Sequence, residues 1–319
     1  MIRSVFSKYF VVAFLGFTLS SCSEQFKKSN HYSDEVVLKV LGTIQDGGIP
    51  HTGCSKKCCR KYFESKSVRI GVSSIGVSNF KYNSNYIIDA TPDLNFQLHT
   101  LIGNTNPSKN LNGIFLTHAH MGHYAGLLNF GREALNSKNI PVYLMPEFFD
   151  YVSNNGPWDQ LVALNNIKLI KIANKEKIDL HSNLSFTPIL VPHRDEYSET
   201  VGFIIEGNNK TALYIPDIDK WAKWNFSITE MIKIVDYALL DGTFFDEKEI
   251  NNRDISEIPH PFVIESLELL DSLEDIDKAK VYFIHLNHTN PLLNKNSEEY
   301  IRVISNGFNV AESGMELIL

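Results

Sequence analysis

Residues Thr117–His123 read Thr-His-Ala-His-Met-Gly-His, which puts His118, His120 and His123 within six positions of one another. An apolar run, Gly113-Ile114-Phe115-Leu116, comes directly before them. If that run is a strand ending in a tight turn, the three imidazoles point at one place. Neutral imidazole is a common ligand for zinc, and also for iron and nickel. Three further apolar runs end on the same kind of donor. Leu190-Val191-Pro192 leads to His193, Leu213-Tyr214-Ile215-Pro216 to Asp217, and Tyr282-Phe283-Ile284 to His285. A polar residue after one strand is usually just the first residue of a turn. Four such ends in one chain point to a metal centre.

Strand-like runs recur from Val36–Leu41 to Met315–Leu319, with Val68–Val72, Tyr86–Asp89, Val142–Met145, Leu184–Val191, Gly202–Glu206, Ala212–Ile215 and Tyr237–Leu240 among them. Helical segments are expected around Pro92–Leu101, Tyr124–Leu135, Pro146–Asn154, Ser227–Ile234, Ile264–Leu270 and Ser297–Ile304. Many strands interspersed with helices imply a layered α/β fold. No repeat or Pro/Gly-rich linker divides the chain after position 34, so one domain over 35–319 is the simplest organisation.

The first residues read as an address. Arg3 and Lys8 make a positive start, and Tyr9–Leu19 is apolar but too short for a permanent span. Leu19-Ser20-Ser21-Cys22 resembles a bacterial lipobox. The resemblance implies a lipoprotein signal over 1–21, cleavage before Cys22, lipid on its thiol and a tether over 22–34. The chain is then expected in the bacterial cell envelope, held to the bilayer through acylated Cys22. The formal charge is −7, and the first 21 residues hold Arg3, Lys8 and no acid, so the mature chain carries −9. That balance leaves no basic stripe for nucleic acid.

The strand-end motifs resemble the metallo-β-lactamase superfamily, whose pattern is His-x-His-x-Asp-His followed by His, Asp and His. Four stretches are similar to the branch named for pyrroloquinoline quinone biosynthesis protein B: Leu41–Pro50, Asp89–Leu94, Leu240–Phe244 and Ile284–Pro291. The fold implied is an αββα sandwich. The ligands implied are His118, His120 and His193 for a first ion, His123 and His285 for a second, and Asp217 bridging the two. Such a centre, with one or two Zn²⁺ ions (Fe or Mn being alternatives), polarises a substrate oxygen and activates water.

Gly122 departs from the pattern, which has an acid there. Asp46 and His288 are the two replacement ligands expected, with His288 alternatively a leaving-group acid. On this reading a second ion binds less tightly than the first. Asp217, His288 and Asp46 are the expected catalytic residues. Arg194 could orient an anion at the cleft mouth, and Asp241 could orient a ligating histidine. The branch often carries a Cys-rich structural zinc site in the region where this chain has His51, Cys54, Cys58 and Cys59. A disulfide is the rival there. Lys56 and Lys57 are expected to favour the thiolates.

The function expected first is a membrane-tethered metal-dependent hydrolase using metal-activated water. Phosphodiesters come ahead of lactones, thioesters or β-lactams as its small-molecule substrate. The alternatives are an iron-dependent oxygenase acting on a tyrosine-derived or peptide substrate, as the branch name implies, and a non-catalytic metal-binding protein. Oligomeric state is not legible in the sequence.

Overall fold

The computed structural model describes residues 34–64, 69–103, 106–250 and 258–319. The expected signal, Cys22 and nearly all of the tether lie outside the described residues. Among the described residues fourteen strands run β1 (Val36–Gly42), β2 (Ser74–Asn79), β3 (Ser84–Ile88), β4 (Gly113–Phe115), β5 (Ile140–Leu144), β6 (Ile167–Lys171) and β7 (Ile178–His181). They continue as β8 (Leu184–Leu190), β9 (Val201–Glu206), β10 (Thr211–Ile215), β11 (Tyr237–Asp241), β12 (Val281–Ile284), β13 (Asn309–Val310) and β14 (Glu316–Ile318). They form two seven-stranded sheets, in the orders β14-β1-β2-β3-β4-β5-β6 and β13-β12-β11-β10-β9-β8-β7. Each sheet is mixed, antiparallel through its early strands and parallel from β3 to β6 or from β10 to β13.

Side chains alternate across each strand, so one face of a sheet meets the other sheet and the opposite face meets helices. On β4, Phe115 joins the layer between the sheets, stacked on Tyr143 at 4.3 Å and against Phe186 at 4.4 Å. Its neighbour Ile114 faces outward, into a core shared with the helices Leu94–Ile102, Pro146–Asn154 and Trp158–Ala163. On β10, Ala212 and Tyr214 point inward. Leu213 and Ile215 point out, toward the helices Ile228–Ile234 and Val263–Leu269. The result is the αββα metallo-β-lactamase sandwich in a single domain.

Three expectations about elements change. Ser74–Asn79 is a central strand although its alternation is weak, because both its neighbours bury it. Of the strand expected at Val68–Val72, the described part makes only a single bridge, from Val72 to Ile44. The helix expected from Tyr124 reduces to one turn at Met121–Tyr124 and a 3₁₀ segment, Ala125–Phe130. Trp221 and Trp224 are core residues, their indole N–H groups donating to Ser266 Oγ and the Leu190 carbonyl at 2.8 Å.

Candidate metal centre

Most of the predicted donors meet at the C-terminal ends of strands, three of them parallel, β4, β10 and β12, and one antiparallel, β8. His118 and His120 follow β4, His193 follows β8, Asp217 follows β10 and His285 follows β12. Ligand atoms of His118, His120, His193 and Asp217 all lie within 4.8 Å of one another. A second set, Asp46, His123, Asp217 and His285, meets the same limit. Asp217 belongs to both. Its Oδ1 is 3.3 Å from His193 Nε2, and its Oδ2 is 3.4 Å from His118 Nε2 and 3.9 Å from Nε2 of both His123 and His285. That is the geometry of a bridging carboxylate.

Every ligand imidazole but that of His193 is held from behind. Asp89, just after β3, takes His123 Nδ1 at 2.7 Å and the hydroxyl of Thr117 at 3.0 Å. With that hydroxyl committed to Asp89, its oxygen accepts from His118 Nδ1–H at 3.0 Å. In the other half the Thr243 hydroxyl donates to Asp241 at 2.7 Å and accepts from His285 Nδ1–H at 2.8 Å. Glu196 meets Nε2 of His120 at 3.0 Å and leaves Nδ1 facing the centre, 2.9 Å from His118 Nε2. Such partners fix the tautomer and the ring orientation of a ligating histidine.

The residues fit divalent ions on one further observation. Both ring nitrogens of His193 and Oδ1 of Asp217 are buried and make no hydrogen bond. Burying polar atoms that way is costly unless a ligand meets them. Burial holds the His118 imidazole well below its ordinary pKa, aided by the charge of His123, so it presents a lone pair. Burial opposes ionisation of Asp217, yet His193, His260 and His285 hold its carboxyl well below the usual range. A donor set of imidazole and carboxylate suits zinc, iron or manganese.

Several expected roles are resolved by position. Asp46 lies at the second set, its Oδ1 3.0 Å from His123 Nε2 and 3.1 Å from His285 Nε2. His288 does not. It sits with Cys54, Cys58 and Cys59, all four ligand atoms within 4.8 Å, so it is neither a catalytic acid nor a replacement ligand at this centre. His51, expected as the fourth ligand of the cysteines, gives way to His288. Its ring stacks on that of His288 at 4.3 Å, with Nδ1 2.9 Å from the Thr52 carbonyl oxygen. None of the three cysteines is bridged. Thiolate support is uneven. Burial opposes it at Cys54 but is overcome by the Lys56 backbone amide and the neighbouring thiols, whereas burial raises Cys58 and pushes Cys59 up to about 11. Arg194 reaches the mouth, 3.5 Å from His120 Nε2. Ser198 and Glu199 of the same loop are structural, accepting from the backbone N–H groups of Ala119 and Glu147.

Sequence reasoning missed His260. Its Nδ1 lies 2.9 Å from Asp241 and 3.1 Å from the bridging Asp217. Burial works against its protonation, but those two carboxylates raise its pKa to about 10. The described residues directly before it, Ile258 and Pro259, are not in a strand, and the sequence shows no apolar run ending on it, so the strand-end rule that found the other donors could not reach it.

Residues 84–286 match the model of the beta-lactamase superfamily domain, and the chain belongs to that superfamily. Within it, the chain is homologous to proteins named coenzyme PQQ synthesis protein B. The one from Methylococcus capsulatus is 25% identical over 318 residues, covering 89% of this chain and 100% of the relative. That of Methylorubrum extorquens is 28% identical over 306 residues, covering 88% and 99%. The crystal structure of Zn²⁺-bound PqqB from Methylobacterium extorquens matches with a TM-score of 0.74 at 25% identity, over 89% of this chain and 100% of that one. A diphosphatase from the PhnP family matches with a TM-score of 0.65 at 20% identity, over 89% and 97%, and shares the fold alone.

These findings overturn the expectation of a membrane-tethered phosphodiesterase. The relatives aligned over their whole length are PQQ synthesis proteins. The diphosphatase is too distant in sequence to carry its substrate across. What stands is a metal-dependent, hydrolase-like enzyme fold of the PqqB kind.

Proposed function

We propose that this chain is a PqqB-type metalloenzyme, acting through iron-dependent oxygen chemistry on a tyrosine-derived or peptide precursor. The observation that carries this is a complete ligand set, Asp46, His123, Asp217 and His285, in a chain homologous to PQQ synthesis protein B along nearly all of its relatives' length. Two imidazoles and two carboxylates form a mixed nitrogen and oxygen donor set that suits iron. Bound iron would supply dioxygen activation. The chain's own part is to hold the imidazoles oriented through Asp89, Thr117, Thr243 and Asp241, and to offer an anion-orienting guanidinium, Arg194, at the mouth.

Hydrolysis is a second reading, favoured by His260. The His260 imidazole, 3.1 Å from the bridging carboxylate, sets a proton-exchanging group beside the centre, which oxygenation does not require. Metal analysis of anaerobically purified protein, beside oxygen uptake with a tyrosine-containing peptide and turnover of an ester panel, separates the two. Iron with substrate-dependent oxygen uptake is expected. Zinc with ester turnover and no oxygen uptake would replace the oxidative reading with hydrolysis, and then His260→Gln should lower kcat about 10²-fold with metal content unchanged. Tight metal binding without either reaction would sink both.

Two further assignments belong with this reading. Cys54, Cys58, Cys59 and His288 form a three-thiol, one-imidazole set that suits a structural zinc ion. Chelation should then expose thiols that native protein withholds from a thiol reagent. Export as a lipoprotein rests on Arg3, Lys8, the apolar Tyr9–Leu19 and the segment ending at Cys22. The Cys22→Ser chain should leave the membrane fraction, and unchanged fractionation would end that assignment.

A further inference from the structure

Gly122 and Asp46 compete for the same space. A Cβ built on Gly122 stands 2.6 Å from Asp46 Cα and 2.6 Å from Asp46 Cγ, closer than real Cβ atoms come to anything. One of those atoms is backbone and the other leads the carboxylate, so no rotation of a flexible tip relieves the overlap. Position 122 is where the superfamily pattern puts its acid. The space such an acid would enter is filled by the carboxylate of Asp46.

Asp46 is also held where a ligand must be. Its loop pairs with the segment after β12. Gln45 N–H donates to the Leu286 carbonyl at 2.9 Å, and Leu286 N–H donates to Thr43 at 2.7 Å. Leu286 adjoins His285, so those two bonds set Asp46 in register with a ligand to which it is already 3.1 Å close. Ile44 is fully buried among Ile49, Cys59 and Tyr62, which anchors the loop from beneath.

We propose that the second ion's carboxylate has been relocated in this chain: Asp46, on the loop after β1, replaces the acid of the His-x-His-x-Asp-His pattern, and Gly122 lacks a side chain to admit it. The inference rests on the two-ion reading of the centre and deepens it. The missing acid at 122 leaves the second set with a full complement of Asp46, His123, Asp217 and His285. The weaker second site expected from the sequence is therefore withdrawn.

Zinc stoichiometry and calorimetric Zn²⁺ titration of the full chain test this, with each variant read as a difference from wild type so that zinc on the cysteines cancels. Asp46→Asn keeps shape and removes charge. It should cost the second ion at least about 10–100-fold in affinity, the loss seen when even a supporting partner is removed. The first ion should stay. Gly122→Asp alone should lower the melting temperature, because two side chains then contend for one space. The double variant Asp46→Gly with Gly122→Asp should recover the second ion relative to Asp46→Gly alone. The proposal is overturned if folded Asp46→Asn protein binds both ions as wild type does, or if the double variant binds no better than Asp46→Gly. Turnover plays no part in these readouts, so a failed functional assignment and a failed ligand assignment show up separately.

Discussion

Asp89 and Asp241 stand in opposite sheets, each at the end of a parallel strand, and each steadies ligands through a threonine. The difference is in what each carboxylate touches directly. Asp89 grips a ligand, His123, at 2.7 Å, and through Thr117 also reaches His118. Asp241 reaches its ligand, His285, only through Thr243, and spends its direct contact on His260. The backbone divides in the same way. Asp89 has φ of 69° in the first sheet, whereas in the second the ligand itself, His285, has φ of 63°. Left-handed backbone at non-glycine residues is uncommon and gathers at functional sites. One half thus holds two imidazoles, one in each donor set. The other fixes one ligand and sets the His260 imidazole against the bridging carboxylate.

The largest test of this division is the residue that joins the halves. Asp217→Ala removes a donor from both sets, so both ions should be lost and turnover should fall by on the order of 10³-fold or more. Retention of either ion at wild-type affinity would break the bridging assignment. Next come the paired variants. Asp89→Asn should weaken both ions by about 10–100-fold. Asp241→Asn should weaken only the ion on His285, by about tenfold, while lowering kcat more than the ion content explains. Equal losses for the two ions in Asp241→Asn would erase the contrast between the halves. The smallest effect is expected of Thr243→Val, which cuts the relay but leaves Asp241 on His260. A loss of a few-fold in affinity for one ion, with kcat otherwise held, is the expected titration result. A change in the other ion would show that the relays are not separate.

Much of the site was legible because its donors are local features. A strand ending in a turn is written in a few consecutive residues, which is why His118, His120, His123, His193, Asp217 and His285 could be picked out by position. The inward and outward sets on β4 and β10 follow from a period of two, which also reads directly from the chain. Strand β2 escaped that reading because Ser74, Gly76 and Ser78 give it little apolar contrast, and its membership is decided by β1 and β3 on either side. The helix expected after Tyr124 tightened because Gly126 lies against the carbonyls of Ala90 and Thr91, where a Cβ would stand 2.1 Å from the Thr91 oxygen. No local rule carries that close approach.

By itself the sequence determined the donor inventory, the strand ends that carry it and the superfamily. All of these depend on residues a few positions apart. Only the tertiary structure decided which donors cluster together. Asp46 joins His123 from 77 positions away and His285 from 239, through a loop whose register is set by backbone bonds to Leu286. His288 went to the thiols and His260 came to the cleft by the same kind of long-range placement. Coordination needs atoms a few ångströms apart in space, and chain spacing specifies that only within a single turn. Gly122 is the clearest instance: an apparent loss in the sequence, and in three dimensions the room for Asp46.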